Sequence, residues 1–311
     1  MKKENLKRKR RAFVTGCTGM DGSHLAELLL SKGYEVHGLV RRTSTFNRQR
    51  IEGMNIQLHY GDMTDPFSLM WALKASKPDE VYNLAAQSHV GVSWETPWYS
   101  AQTIGIGVLN LLESIRVLGM KPKIYQASTS ELFDGLKPPY NELSEKNPIS
   151  PYGTAKLFGF QIGKNYRDAY GMFICNGILF NHESERRGVT FVTKKIVDNA
   201  DSGVVYLGNT DAQRDWGYAP EYVEGMWRML QQKKPDDYVL ATGEMHSVKE
   251  FVGYVEEACG HKIKIIHDKG YDRPKDVPKL QGDARKAKKK LGWKATVKAK
   301  EIAKIMYDAT L

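Results

Sequence analysis

The sequence predicts an α/β protein in which a doubly wound parallel sheet is followed by a smaller C-terminal α/β lobe. Three observations lead to this fold class. Short apolar segments alternate with helical segments up to about residue 180, a glycine-rich turn separates the first strand from the first helix, and the pattern then becomes irregular. Almost continuously apolar strands are typical of a parallel sheet that helices cover on both faces.

The elements begin with a β-α-β unit. A strand at residues 12–15 leads through the turn at 16–22 into a helix at 25–31, and a second strand follows at 34–40. Gly33 is a typical helix end. The later strands are predicted at 56–60, 80–85, 123–127 and 173–179, and the helices between them at 66–77, 98–118 and 152–170. This alternation is that of a dinucleotide-binding, or Rossmann, sheet.

The chain is expected to have three parts. Residues 1–11 are a basic tail, residues 12–180 form the Rossmann domain, and residues 181–311 form the second lobe, with some exchange of chain between the lobes. Folds of this class bind ligands beyond the carboxyl ends of their strands. We therefore expect the second lobe to cover that end and to bind the substrate.

Charge and composition narrow the function classes. Of the net charge of +10, residues 1–11 carry +6 and residues 285–300 carry +8, so the rest of the chain carries −4. A charge excess confined to the two ends of the chain favours solvated segments over a nucleic-acid groove.

No apolar run approaches the roughly 20 residues of a membrane helix, and the N-terminus lacks the apolar core of a secretory signal. Three widely separated cysteines suggest neither disulfides nor a metal site, so a cytoplasmic protein is expected.

The glycine-rich turn predicts a dinucleotide site. Gly16, Gly19 and Gly22 stand between a strand and a helix, where glycine lets the backbone approach a pyrophosphate and the helix N-terminus supplies N–H groups. The second strand ends in Arg41 and Arg42 instead of an acidic residue. Two guanidinium groups suit a 2′-phosphate, so NADP is favoured over NAD, although solvated arginines remain an alternative.

A second motif predicts the chemistry. Tyr152 and Lys156 lie one helical turn apart, and a nearby ammonium favours the tyrosinate that accepts a proton from an alcohol. Thr129 and Ser130 offer hydroxyl groups to the same site. Glu131 is the unusual member, because a carboxylate is useful when a second proton, alpha to a new carbonyl group, must also be removed. The combination indicates a dehydration, whereas Tyr152 and Lys156 without this context would favour a surface pair one helical turn apart.

With these motifs the chain resembles the GDP-mannose 4,6-dehydratases, a family of extended short-chain dehydrogenase/reductases. The resemblance extends from Ala12 to about Trp293, and its most specific segments are residues 83–90, 125–132, 175–184 and 213–217. It implies that bound NADP⁺ oxidises C4 of the sugar, that water is eliminated across C5 and C6, and that the same hydride returns to C6. GDP-D-mannose would thereby become GDP-4-keto-6-deoxy-D-mannose.

The resemblance also implies a role for each site residue. Tyr152 removes the O4 proton, Lys156 binds the nicotinamide ribose, Thr129 orients the 4-oxygen, Glu131 takes the C5 proton, and Ser130 is a lesser member. Asn181, Lys194, Arg214, Arg273 and Ser88 are expected to bind the GDP-sugar, with the arginines on the diphosphate. The residues expected to bind the cofactor are Gly16, Thr18, Gly19, Met20, Asp21, Gly22, Arg41, Arg42, Asp62, Met63, Leu84, Ala85, Ala86, Gln87, Ser88, Tyr99, Lys156, His182 and Arg187.

Some assignments have structural alternatives. His182 is compatible with an ordinary buried, hydrogen-bonded histidine, and Arg214 and Arg273 with structural ion pairs. The chain departs from the family pattern in the loop Phe133-Asp134-Gly135 and at Asp276, where Glu is expected. A homo-oligomer, a tetramer or dimer, is implied because in relatives the segment matching residues 41–50 reaches a neighbour's cofactor, with Phe46 as an anchor here.

Three competing functions remain open. One is a nucleotide-sugar epimerase or reductase that uses Tyr152 and Lys156, and Glu131 argues against it. A dehydratase acting on another nucleotide sugar would use the same two residues. A catalytically idle NADP-binding protein would have little reason to retain Thr129, Glu131, Tyr152 and Lys156 together. A nucleic-acid binder would use the basic ends of the chain, and its affinity would fall with salt.

Overall fold

The computed structural model describes residues 8–311, and its central feature is a seven-stranded parallel sheet with the order β11-β6-β5-β4-β1-β2-β3. The α/β prediction is confirmed. The strands are β1 (Arg11–Thr15), β2 (Glu35–Val40), β3 (Ile56–Tyr60), β4 (Glu80–Asn83), β5 (Lys123–Ala127), β6 (Ile174–Leu179), β7 (His182–Glu183), β8 (Val204–Leu207), β9 (Gln213–Arg214), β10 (Gly217–Tyr218), β11 (Tyr238–Leu240), β12 (His246–Ser247), β13 (Lys264–His267) and β14 (Lys279–Leu280).

Helices connect these strands and cover both faces of the sheet. They are α1 (Met20–Ser31), α2 (Pro66–Ser76), α3 (Val92–Glu95), α4 (Pro97–Ser100), α5 (Gly107–Val117), α6 (Pro151–Tyr170), α7 (Val192–Asp198), α8 (Ala219–Leu230), α9 (Val248–Cys259), α10 (Arg285–Leu291) and α11 (Ala299–Asp308). None of the helices within residues 8–311 combines the length and the apolarity needed to cross a membrane.

The helix predicted at residues 98–118 is interrupted. Between α4 and α5 the chain forms a π-helical stretch, Ala101–Ile106. A π-turn widens the helix by one residue and shifts the phase of the side chains after it, a feature that hydrophobic periodicity does not reveal. Thr103, within this stretch, borders the main cavity of the protein.

The two faces of the sheet have separate cores. In β1, Ala12 and Val14 belong to a cluster with residues of α1 and α8, whereas Phe13 belongs to a cluster with residues of α2 and α5. Successive strand residues point to opposite faces, so one short apolar strand contributes to both layers. This burial on both faces is the reason why the strands read as continuous apolar runs.

Part of the C-terminal half returns to the sheet. Helix α8 packs against α1, and β11 pairs in parallel with β6 through Tyr238, Val239 and Leu240. The rest of that half has its own core, in which Trp216 packs against Phe251 from α9. Three small sheets complete it, namely the pairs β7–β10 and β8–β13 and the three-stranded sheet β12-β9-β14.

The start of the described chain is held by the sheet. Arg11 is the first residue of β1, and its backbone N–H donates to Asp79 Oδ2 at 2.8 Å. Arg10 donates to Tyr34 and Gln231, and Arg8 pairs with Asp79 at 2.6 Å. Acidic and polar groups at the amino ends of the strands thus bind residues 8, 10 and 11, while the side chains of Arg8 and Arg10 stay 57% and 61% exposed. Residues 1–7 of the expected basic tail lie outside the described residues.

Candidate functional site

A cavity of about 1550 Å³ lies at the carboxyl ends of the strands. In the order of the sheet, β1 stands between β4 and β2, so the connections leave in opposite directions at this point, where such folds bind ligands. The cavity extends from the glycine-rich turn, across the N-terminus of α6, to the segment at residues 270–276. Both lobes therefore contribute to one continuous site.

The glycine-rich turn has the shape that a dinucleotide requires. Gly16 has a φ of +69°, and a Cβ there would lie 2.9 Å from Ala85 N; a Cβ at Gly22 would lie 2.1 Å from Gly16 O. These two glycines let the turn pack against the segment that follows β4 and against α1. Gly19 is different, because among the described residues a Cβ there would meet only Gly16 O, at 3.3 Å, and Gly19 lines the cavity as the N-cap of α1. Its backbone is thus open to a phosphate at a helix N-terminus.

One arginine of the predicted pair reaches the cavity. Arg41 lines it and donates to Tyr99 Oη at 2.6 Å, and Asp62 lies on the same wall. Arg42 instead donates to Thr43 O and borders a smaller hollow formed by residues 41–48. Gln87 is also absent from the cavity wall, and its amide donates to His89 O at 3.0 Å. The other residues expected to bind the cofactor all line the cavity.

The start of α6 places Tyr152 and Lys156. Ser150 caps the helix by accepting from Gly153 N at 3.0 Å, and Tyr152 N donates to Ser93 Oγ at 3.2 Å. Lys156 lies one turn later, where Nζ donates to Ala127 O at 3.0 Å and lies 5.8 Å from the centre of the Tyr152 ring. Both side chains are buried and border the cavity.

Burial dominates the ionisation of this pair. It lowers the pKa of Lys156 to about 8, against the opposing charge of Asp21. Burial also raises the pKa of the Tyr152 phenol well above its usual value, with the Thr129 hydroxyl acting in the opposite direction. Burial thus acts in the opposite direction to the effect expected of Lys156, and the expectation that Lys156 favours the tyrosinate stays a prediction.

Glu131 lies in the turn after β5, beside Thr129. The 3-10 turn Ser130–Leu132 begins at Thr129, whose Oγ1 accepts from Glu131 N at 3.2 Å. The Glu131 side chain is buried and borders the cavity. Burial raises the pKa of its carboxyl, and the charges of Arg214 and Arg273 act against that rise. A carboxyl with a raised pKa is suited to exchange protons near neutral pH.

The loop that departs from the family pattern is firmly packed behind Glu131. Phe133 stacks on Tyr140 with a ring distance of 4.3 Å, and Asp134 accepts from the Tyr140 hydroxyl at 2.9 Å. Gly135 has a φ of +80°, and a Cβ there would lie 2.4 Å from Val277. The altered loop therefore supports the turn that carries Glu131 and connects it to the second lobe.

Two arginines share one carboxylate at the far end of the cavity. Arg214 and Arg273 each approach Asp276 Oδ1 at 3.1 Å, and Arg214 also donates to Val277 O at 2.8 Å. Both line the cavity together with Asn181 and Ser88. From the sequence, Asp276 was noted only as a departure from the family pattern. In the structure its carboxylate aligns both guanidinium groups.

The structure does not bring Lys194 to the cavity. Its amine pairs with Asp198 one turn along α7, at 2.5 Å. Lys195 lines the cavity instead, with Nζ 3.2 Å from the centre of the Tyr271 ring. The two residues are adjacent lysines, and only the packing of α7, which buries Thr193 and Ile196, decides which one faces the site. The sequence offered no signal that separated them.

His182 and Arg187 are each held by a carboxylate. His182 Nε2 lies 2.8 Å from Asp21 Oδ2, and Arg187 Nε lies 2.7 Å from Glu183. His182 and Arg187 line the cavity beside the glycine-rich turn. Their ring and guanidinium group stack on Tyr222 and Phe191, respectively. Glu183 was not predicted, and its burial beside an arginine becomes apparent only in the fold.

Comparison with known proteins identifies the relatives of this chain. The family model described as GDP-mannose 4,6 dehydratase matches residues 13–306. GDP-mannose 4,6 dehydratase 1 of Arabidopsis thaliana is 49% identical, over 98% of this chain and 91% of that protein. The human GDP-mannose 4,6 dehydratase is 46% identical, over 96% of this chain and 90% of its own length.

Solved structures agree in fold. UDP-glucose 4-epimerase from Thermotoga maritima, solved with UDP-glucose, superposes with a TM-score of 0.89 at 26% identity, over 96% of this chain and 98% of that one. UDP-glucose 4-epimerase from Thermus thermophilus, solved with NAD, gives a TM-score of 0.87 at 26% identity with the same coverage. The motifs, the cavity and the sequence matches agree, and the chain belongs to the GDP-mannose 4,6-dehydratase family.

Proposed function

We propose that this protein is a GDP-mannose 4,6-dehydratase that converts GDP-D-mannose to GDP-4-keto-6-deoxy-D-mannose and retains NADP through the cycle. Family membership supports the activity. The single observation that carries the mechanism is the position of Glu131, a buried carboxyl that borders the same cavity as Tyr152 and Lys156. An enzyme that only oxidises or reduces an alcohol has no need of this carboxyl.

Tyr152 and Thr129 act on the sugar O4. When bound, the nicotinamide supplies the site that accepts the C4 hydride and later returns it to C6. Tyr152 accepts the O4 proton. The Thr129 hydroxyl, which acts to lower the pKa of the Tyr152 phenol, orients the same oxygen. Lys156, fixed by Ala127 O, provides a positive charge one helical turn below the phenol. The buried position of all three excludes bulk water from the proton transfer.

Glu131 performs the elimination. Once C4 is a ketone the C5 proton is acidic, so one carboxylate is sufficient to remove it. The same carboxyl can then give the proton to the departing 6-hydroxyl group. Its raised pKa suits both steps, because the group must hold the proton between them. Arg214 and Arg273 lie near enough to stabilise its ionised form.

The residues along the cavity fit the two nucleotides. The open backbone of Gly19 suits a pyrophosphate, and Arg41, paired with Tyr99, suits the 2′-phosphate that distinguishes NADP from NAD. Arg214 and Arg273 suit the diphosphate of the GDP-sugar. We assign Lys195, and not Lys194, to the substrate because Lys195 lines the cavity.

The structural similarity to UDP-glucose 4-epimerases favours one alternative function, that of a nucleotide-sugar epimerase or reductase. An epimerase or reductase of nucleotide sugars would share the sheet, the glycine-rich turn, Tyr152 and Lys156. It would not need an acid at position 131. Replacement of this single carboxyl therefore separates the two functions.

The deciding experiment is NMR of GDP-mannose incubated with the purified protein and a catalytic amount of NADP⁺. The wild type is expected to give the 4-keto-6-deoxy product, and Glu131→Gln is expected to lose most of it while still binding NADP. An unchanged rate in Glu131→Gln, or the release of a 4-epimer, would exclude the proposed mechanism.

The lobes and the assembly complete the proposal. Residues 12–180 would hold NADP and most of residues 181–311 the GDP-sugar, with α8 and β11 as the exchanged elements. Phe46 is 61% exposed in the segment at residues 41–50, and an exposed apolar side chain there supports a homo-oligomer, a tetramer or dimer. Light scattering at micromolar concentration tests it, and a monomer mass would exclude it. A cytoplasmic location stays a prediction that three free cysteines support.

A further inference from the structure

His182 makes two hydrogen bonds that together restrict its protonation state. Its Nδ1 lies 2.8 Å from Phe180 O, and its Nε2 lies 2.8 Å from Asp21 Oδ2. A carbonyl oxygen can only accept, so Nδ1 carries a proton. The open question is whether the second proton of this pair belongs to the imidazole or to the carboxyl of Asp21.

The surroundings favour a charged pair. Asp21 lies in the first turn of α1, where the positive end of the helix stabilises a carboxylate. Burial alone would raise the pKa of Asp21, but the charge and hydrogen bond of His182 hold it below its usual value. Burial alone would lower the pKa of His182, but Asp21 raises it above the usual value. Both nitrogens of the ring are then donors.

The other groups around His182 are few and identifiable. Tyr222 from α8 stacks on the ring at a centroid distance of 4.6 Å. Arg187 acts against the protonated ring, and its own charge is shared with the buried Glu183. His24, one turn along α1, acts on the same carboxylate as His182. The direct bond to Asp21 outweighs the more distant cations.

We propose that Asp21 is a positioning residue that holds His182 as a lasting imidazolium, so that His182 takes no part in proton transfer and instead fixes the glycine-rich turn to the segment carrying Asn181. The pair joins residues 161 positions apart in the chain. Asp21 follows Gly19 by two residues, and Asn181, whose carbonyl accepts from Gly217 N at 2.9 Å, precedes His182. One ion pair thus sets the distance between the proposed cofactor and sugar subsites.

Two-dimensional ¹⁵N NMR of the imidazole side chains tests the proposal without turnover. The His182 signals are assigned by their loss in His182→Gln. We expect both ring nitrogens of the wild type to be protonated at pH 7.5, above the pH of about 6.5 at which an ordinary histidine loses its proton. A neutral ring at pH 7.5 in the wild type would overturn the proposal.

Asp21→Asn provides the second measurement. An amide cannot balance an imidazolium, so His182 should become neutral at pH 7.5 and keep only its Nδ1 proton for Phe180 O. Loss of the fixed distance should raise KM for GDP-mannose by roughly tenfold, the effect of one charge-assisted hydrogen bond. The control is Glu27→Gln, which removes another acid of α1 that pairs with Arg186 at 2.8 Å. An imidazolium that survives in Asp21→Asn, or an equal effect of Glu27→Gln, would contradict the assignment.

The location of the pair between cofactor and sugar rests on the proposed function, whereas the protonation state does not. A protein that fails to convert GDP-mannose but shows the imidazolium would refute the function alone. An active protein with a neutral His182 would refute this inference alone.

Discussion

Gly153 lies directly against the backbone carbonyl of Glu131, and a Cβ at position 153 would be 2.5 Å from that oxygen. The residue after Tyr152 is therefore the point where α6 touches the turn that carries the eliminating carboxyl. Pro148 Cβ, at 2.9 Å, closes the other side of the same position. The absence of one methyl group sets the separation of the two proposed proton-transfer groups.

Gly153→Ala should fold and lose activity. Alanine favours a helix by about 1 kcal/mol over glycine, but its methyl group must displace the Glu131 turn. A displacement of about 1 Å is expected to lower kcat on the order of 100-fold. The measurement is kcat together with the melting temperature. Gly163→Ala in the same helix is the control, since its nearest contact would be a side-chain oxygen of Asn176 at 3.3 Å. Comparable activity in both variants would show that the contact is unimportant.

Glu131→Gln should stabilise the protein at neutral pH while it removes most of the dehydratase activity. Burial raises the folded-state pKa of Glu131, so the ionised group costs stability once the pH exceeds the unfolded-state pKa of about 4.3. Below that pH the group is protonated in both states and the cost disappears. We expect a melting temperature a few degrees above wild type at pH 7, roughly 2–4 °C for each kcal/mol, and no difference near pH 4.

The exposed Glu145→Gln serves as the control for that measurement, because it removes the same charge from the surface of a nearby loop. If both variants gained the same stability at pH 7, net charge and not burial would be the cause.

The two adjacent lysines of α7 should differ in kinetics. Lys195→Ala removes an ammonium group from the cavity wall and should raise KM for GDP-mannose roughly 10- to 100-fold, the value of a charge-assisted hydrogen bond. Lys194→Ala removes only the pair with Asp198 and should leave KM nearly unchanged. Steady-state kinetics of the two variants side by side decide the point, and the reverse order would restore the assignment made from the sequence.

Cofactor preference should depend on Arg41 more than on Arg42. Arg41→Ala is expected to weaken NADP binding roughly 10- to 100-fold and to change NAD binding little, because only NADP carries the phosphate. Arg42→Ala should have a smaller effect, since that guanidinium group lies outside the cavity. Calorimetric titration of each variant with both cofactors is the measurement. Equal losses for NAD and NADP would place Arg41 away from the phosphate.

The sequence predicted the elements that depend on local pattern. The strands from β1 to β6 and the glycine-rich turn follow from apolar runs and glycine spacing, and the structure has them within a few residues of the predicted bounds. The π-helical stretch Ala101–Ile106 was not predictable, because it interrupts a helix without changing its composition. Strand β11 was not predicted, because three residues are too few to show an apolar periodicity.

The same limit applies within the site. Thr129, Glu131, Tyr152 and Lys156 are all on the cavity wall, as their motifs led us to expect. The choice between Lys194 and Lys195 depends on the rotation of α7, which tertiary packing sets. Asp276 and Asp21 pair with Arg214 and His182, which are far away in the chain, so these ion pairs exist only after folding. Glu183 pairs with Arg187 only four residues later, and it is the burial of this pair that depends on the fold.

The late arrival of β11 has a consequence for how this protein is made. All six residues of β6 are buried, and β11 covers its outer edge. During synthesis that edge stays open until the ribosome has passed residue 240, some 60 residues after β6 is complete. An open apolar edge strand is a template for pairing with other chains. The nascent sheet is thus exposed to aggregation over this interval, and chaperone binding would be most useful there.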